Sequence, residues 1–550
     1  MRFQIDHDWQ GNMSLARPRV GESTKTYLLL LLCLFWVMLG LIGHAPWKSL
    51  EATNISTIKT VLDGGSLLAP IPLFQTTIDT PPLYFLTAAA SSLTFSPLLS
   101  IHDGARLFNA VWISITLLMV GMTGRELWAR GVGRHATFIM IGTIGLVVGA
   151  HSLSPHIALL ACCATAFYAL ALAKRRPWRA SGLLGVSLGV GFLVSGLLPL
   201  IIIISTMSLL GLLFKPWRTL SFAKVTFTAL VIALPIIMTW VILMWYQQPS
   251  MLVDWLKLSI FGIPESNHLY FFNILIWYAW PALPLALWAL WRFRNQLLTK
   301  PRFQLMLVFF SVSLISIGFL CTPRDVEALP LLLPIVALGA GSVEHLKHGA
   351  AAALNWFGIM LFGIIGFLVW LGWFAMMFGM PEKIQLRMQF LSAIDAIPFQ
   401  TLSVGIALLL TCIWVFSCLR LRQTNTATVT NWAIGMTFGW GLLMTLWLPM
   451  LDSAKSYEKV FTSLTKALPS EYLCMNSLNL GNAKMQLLHY HGNIKLIPVS
   501  STQALNCDLY LIEDERGMPK MQPNDKWTLI WQGNRAADRR ERFRLFQRHF

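Results

Sequence analysis

Long apolar runs separated by short polar stretches fill the chain from residue 27 to residue 451. A transmembrane helix needs about 20 apolar residues, within a range of about 17–25. On that measure the pattern predicts spans at 27–43, 104–124, 135–150, 157–173, 180–195, 197–214, 223–245, 270–291, 303–321, 327–342, 354–379, 400–418 and 431–451. The first run is too long and too internal for a cleaved signal peptide, and no A-x-A-like site follows it. The segment 82–100 is also long enough to cross. Its Ser, Thr and Pro content and the preceding Pro81-Pro82 predict instead a helix lying at the outer interface. If it crossed, the N-terminus would lie on the other side.

From about residue 452 the pattern becomes mixed and water-compatible. SEYLCMNSL, NIKLIPVS, CDLYLIEDE and KWTLIWQG read as short strands between turn residues. About 100 residues suffice for a small domain. The expected architecture is an α-helical polytopic membrane protein of about 13 transmembrane helices (27–451). A tail (1–26) precedes it, a long external loop (44–103) follows the first span, and a small α/β domain (452–550) ends the chain.

Composition agrees with a lipid-facing chain. Only 12% of residues are charged and 55% are hydrophobic, against about 25% charged in a soluble domain. The net charge of +17 sits in short basic clusters in alternate loops, among them Arg125/Arg130/Arg134, Lys174/Arg175/Arg176/Arg179 and Arg292/Arg294/Lys300/Arg302. Such clusters mark cytoplasmic loops, which places the N-terminus in the cytoplasm and the tail domain outside. No loop interleaves aromatic and basic residues as a nucleic-acid surface does, so no nucleic-acid partner is expected.

The chain carries no P-loop, no G-x-G-x-x-G after a strand, no G-x-S-x-G and no H-E-x-x-H. Charges within spans are rare, so an ion pathway has little support. Candidate chemistry therefore falls in the external loops. The first holds His44, Lys48, Glu51, Asp79, His102 and Asp103, with Arg106 just inside the next span. In EATNISTIKTVLDGG, Ile55, Ile58, Val61 and Leu62 recur at helical spacing, which predicts an amphipathic interfacial helix ended by Gly64-Gly65. A loop of this kind can roof a cavity for a substrate with a polar head and a hydrocarbon tail. Later loops add His151, His156, Glu265, His268, Arg324, Asp325 and Glu327. Taken singly, each of these charges also reads as a solvated loop residue. Arg106 and Arg324 suit a phosphate. Cys474 and Cys507, alone together in the exported tail, read either as a disulfide or as two buried thiols.

Several stretches in order carry a family resemblance: PWKSLEA (46–52), TPPLYFLTAA (80–89), HDGARLFNAV (102–111), SNHLYFFNILIWYAWPALPLALWALWR (266–292), ALPLLLP (328–334), ALNWFGIMLFGIIGFLVWLGWFAMMFG (353–379) and LIWQGNRAADRRERFRLF (529–546). Over nearly its whole length the chain resembles the polytopic GT-C glycosyltransferases. Within them it is similar to the bacterial aminoarabinose (4-amino-4-deoxy-L-arabinose) lipid A transferases, which share the protein mannosyltransferase core. The resemblance implies transfer of a sugar from a polyprenyl-phosphate donor to lipid A or another exported acceptor, on the outer face of a bacterial inner membrane. It implies an acidic base in the first loop, an assisting acid in a later one, and a divalent metal ion as a frequent helper. Mapped on this sequence, the catalytic candidates are Glu51, Asp79 and His156, and the donor-binding candidates are Lys48, Arg106, His268 and Arg324.

The departures are specific. Leu50 stands where the family has an aspartate, Thr80 where a cation is usual, His156 at the second acid position, Ser195 in place of a lysine, and Glu327 in place of a tyrosine. Leucine accepts no proton and binds no metal. Either the site is rebuilt around Glu51, Asp79 and His156, or the chain is a non-catalytic paralogue that binds polyprenyl phosphate or partners an active transferase.

Overall fold

The computed structural model describes residues 21–47, 49–129, 131–262, 269–420, 424–494, 496–498, 507–515, 527–535, 537–538 and 540–548. Lys48, Glu265 and His268 lie outside the described residues. The chain is a multi-pass membrane protein with a small C-terminal sheet domain.

Among the described residues eight helices are long and apolar enough to cross a bilayer, and two bent pairs raise the number to ten. The count of thirteen is therefore not reproduced. Three predicted spans are not single straight helices. The run 135–150 breaks at Gly142-Thr143 into Val132–Ile141 and Ile144–Ala150. A Cβ on Gly142 would lie 2.5 Å from the Trp432 ring, so the break is packed closely under that indole. The run 270–291 bends by 100° between Tyr278 and Ala282. The run 431–451 belongs to Asn425–Leu446, after which the chain turns by 70° into the short helix Leu448–Lys455. Hydrophobicity marks these residues as buried, but only packing reveals the bends.

Helices α1 (Glu22–Met38), α2 (Leu50–Leu62), α3 (Leu83–Phe95) and α4 (Ile101–Leu127) carry the long loop 44–103 and its flanks. At about 1.5 Å per residue, α3 spans about 20 Å, short of the roughly 30 Å hydrocarbon core. It packs on α4 through Ser91 Oγ, which donates to Gly104 O at 2.7 Å, and Ser92 Oγ, which donates to Ile101 O at 3.0 Å. Helix α2 forms where the amphipathic pattern predicts, and ends at Gly64 with φ +88°. It does not simply float on the interface. Ile55 and Ile58 enter the membrane-domain core, while Ala52 enters the core of the tail domain. Its polar residues Asn54, Ser56 and Thr57 are buried as well.

Among its described residues the tail domain has a five-stranded sheet of β1 (Met475–Leu478), β2 (Leu496–Pro498), β3 (Leu509–Glu515), β4 (Trp527–Gly533) and β5 (Glu541–Arg548). The order is β2-β1-β3-β5-β4. The first three are parallel, and β5 runs antiparallel to both of its neighbours. Strand β5 was not among the expected strands, although Arg542 and Arg544 alternate with Phe543 and Leu545 at the two-residue period of a strand. Both arginines are nevertheless buried, against Asp514. Cys474 and Cys507 form a disulfide with a Cα–Cα distance of 4.8 Å, tying the approaches to β1 and β3. The helix Asn482–Gly492 seats the domain on α2. Thr53 Oγ1 donates to Gln486 Oε1 at 3.1 Å, and Gln486 Nε2 donates to Leu73 O at 3.0 Å.

Candidate active site

Helix starts place three of the candidate side chains. Ser100 caps α4 by accepting from Asp103 N, which sets Asp103 and Arg106 on the first turns of that helix. Ser154 caps the helix Pro155–Leu172 by accepting from His156 N at 3.3 Å. Ser49 precedes α2 with φ +68° and ψ −106°. That backbone region is rare for a residue with a Cβ, and such strain concentrates at functional sites.

Arg106 has no exposed surface and makes a clasp. Its Nη1 donates to His44 O at 2.6 Å and to Asp103 Oδ1 at 3.3 Å, and its Nη2 donates to Ala45 O at 3.2 Å. Its Nε and Nη2 meet Glu51 Oε1 and Oε2 at 3.2 and 3.4 Å. Glu51 also accepts from Leu153 N at 2.9 Å and Trp47 N at 3.0 Å. Two carboxylate oxygens thus accept four donors, which is their ordinary capacity. Burial pushes the Glu51 carboxyl upward, but Arg106, then His44 and the two backbone N–H groups, hold it below the usual glutamate range. The clasp joins the loop after α1, α2, α4 and the 151–154 turn.

Beside the clasp lies a cavity of about 940 Å³. Its wall includes Trp47, Ser49, Leu50, Glu51, Asp79, Thr80, His156, Arg324, Asp325, Glu327 and Lys455. His156 Nε2 stands 3.0 Å from Glu327 Oε1, and its Nδ1 lies 2.7 Å from Ser154 Oγ. Asp325 Oδ1 accepts from Val326 N at 3.0 Å. Asp79 opens onto the cavity. Burial raises its carboxyl above the ordinary range and the charge of Arg324 pulls partly back. The buried Gln75 Oε1 and Thr80 Oγ1 have no hydrogen-bond partner among the described residues.

The structure therefore brings Glu51, Asp79, His156 and Arg324 to one cavity. Arg106, expected to hold a phosphate, is instead spent on the clasp and is absent from the cavity wall. Two features were missed. The pairing of His156 with Glu327 joins loops 171 residues apart (327 − 156). Lys455 reaches the cavity from the helix Leu448–Lys455, with Nζ 4.2 Å above the Trp47 ring. The bend after Leu446 puts it there, and the polar LDSAK stretch behind the last apolar run was the available signal. Among the described residues no three or more His, Cys, Asp or Glu stand together as a metal site.

A long loop after α1 folded over a membrane-helix bundle, with a small sheet domain seated upon it, is a GT-C-like fold. ArnT from Cupriavidus metallidurans shares it. The crystal structure of ArnT in the apo state matches with a TM-score of 0.66 at 13% identity, covering 95% of this chain and 98% of that one. The structure of the same protein bound to undecaprenyl phosphate matches with a TM-score of 0.66 at 12% identity, covering 96% and 98%. The archaeal oligosaccharyltransferase AglB from Archaeoglobus fulgidus matches at 11% identity with a TM-score of 0.47, covering 89% and 69%. No family model and no curated protein matches the sequence. At these identities the likeness is one of fold.

Proposed function

We propose that this chain is an integral membrane glycosyltransferase acting on the outer face of a bacterial inner membrane, with its N-terminus cytoplasmic and its tail domain periplasmic. It moves a sugar from a polyprenyl-phosphate donor to lipid A or another exported acceptor. The observation that carries this reading is that Asp79 and Arg324 line one cavity, near enough for the guanidinium charge to act on the carboxyl. The shared fold of ArnT bound to undecaprenyl phosphate supports the donor class.

In this reading Asp79 takes the proton from the acceptor as the acceptor oxygen bonds to the anomeric carbon. The bond from that carbon to the phosphate oxygen breaks, and the phosphate leaves onto Arg324. His156 and Glu327 form the adjoining polar wall. Glu51 holds the loop, helix and turn that position the cavity. No step is routed through a metal ion.

The test is transfer in vesicles containing purified protein, a polyprenyl-phosphate-linked sugar and lipid A, read by mass spectrometry. Asp79→Asn should lower the rate about a hundredfold or more while donor binding persists. Full transfer by this variant would remove Asp79 as the base. A second reading is a binding protein without transfer. It is favoured by Leu50, which lines the cavity where the family resemblance expects an acid. Donor binding by the wild type, with no sugar moved to any acceptor offered, would establish it.

A further inference from the structure

We propose that Lys455 forms a second anion subsite in the cavity, for the negatively charged head group of the acceptor. Among the described residues that line the cavity, the lysine and arginine side chains are Arg324 and Lys455. They arrive from different parts of the fold. Arg324 stands in the loop between the helices Pro301–Leu320 and Leu332–Ser342, where Asp79 and Glu327 feel its charge. Lys455 ends the helix Leu448–Lys455, at the start of the tail domain.

No ion-pair partner holds Lys455 among the described residues. Its ammonium rests on the Trp47 ring. Of the two acids three residues away, Glu458 forms no ion pair with it, and Asp452 is engaged elsewhere, accepting from Ala45 N at 3.0 Å and Trp47 Nε1 at 3.1 Å. Trp47 is fixed further by a β-bridge to Ser456. An aromatic platform orients an ammonium without neutralising it and leaves N–H donors free. A cation also suits the C-terminal end of a helix. The geometry is that of a charge held ready for an anion arriving from the water side, where the tail domain stands. Transfer onto a charged acceptor brings two anionic groups together, and two separately mounted cations offset their repulsion. That pairing of roles rests on the transferase reading above.

The experiment uses the full chain in nanodiscs and two probes, farnesyl phosphate and glucosamine 1-phosphate, titrated calorimetrically. Lys455→Met should weaken glucosamine 1-phosphate about tenfold or more and leave farnesyl phosphate within about twofold. Arg324→Met should do the reverse, and Lys455→Arg should retain both. Lys455 is exposed, so the substitution threatens no core. Unchanged binding of both probes by Lys455→Met overturns the proposal. So does equal loss of both, which means one shared anion site, and so does absence of glucosamine 1-phosphate binding by the wild type. If the wild type ignores farnesyl phosphate while Lys455→Met still loses the sugar phosphate, the donor assignment fails and the Lys455 subsite stands.

Discussion

Glu51→Gln separates a clasp from a catalytic base. Glutamine keeps the shape but has one acceptor oxygen in place of two. Of the four bonds made by Glu51, to Trp47 N, Leu153 N and twice to Arg106, about half are lost. Arg106 is left buried with Asp103 as its remaining carboxylate. Breaking one side of a buried ion pair costs about 3–5 kcal/mol. The retained Asp103 contact argues for the lower end, about 3 kcal/mol. The assay is thermal and denaturant unfolding of the reconstituted protein beside its transfer rate. The expected result is a clear loss of stability, with the activity loss partly recovered on cooling. Glu51→Gln combined with Arg106→Met should be less destabilised than the two single losses added together, because both partners go at once. A Glu51→Gln protein as stable as the wild type but inactive would refute the clasp and return Glu51 to the role of base. The same pair sets an acid limit. With its carboxyl held below the ordinary range, Glu51 contributes stability that is full above about pH 4.3. That stability is lost only as pH falls through the depressed folded value.

Other outcomes follow from the same geometry. If Asp79 is the base, transfer should rise with pH along an acid limb centred above the ordinary aspartate range, because burial raises that carboxyl. The limb should vanish in Asp79→Asn, and a rate flat from pH 4 upward in the wild type would contradict the assignment. Burial and then Lys59 push His491 down to about 4. A histidine depressed in the folded state stays neutral while the unfolded one protonates, so stability falls as pH drops from about 6.5 toward 4. At pH 5 the loss is about 2 kcal/mol, and His491→Gln should flatten that slope in thermal scans. Removing the Cys474–Cys507 bond, which joins residues 33 apart, should cost about 3–4 kcal/mol in the tail domain. Non-reducing peptide mapping should find the two cysteines linked, and free thiols in membrane-purified protein would count against the bond.

The apolar runs alone determined that this chain lives in a membrane, and the change of pattern near residue 452 marked a separate small domain. Hydrophobic burial is a property of each residue and its near neighbours, so it survives reading in one dimension. The spacing of Ile55 and Ile58 likewise announced α2. Bends were invisible, because the apolar surface of a straight helix and of a broken one is written with the same letters. So were the partners. Glu51 reads as a loop acid until Arg106, 55 positions on, is seen to saturate it. His156 and Glu327 read as two separate replacements until they meet at 3.0 Å. Lys455 reads as tail until the turn after Leu446 brings it over Trp47. A charge takes its role from whatever neutralises it, and in this fold those groups come from distant segments that only tertiary packing brings within reach.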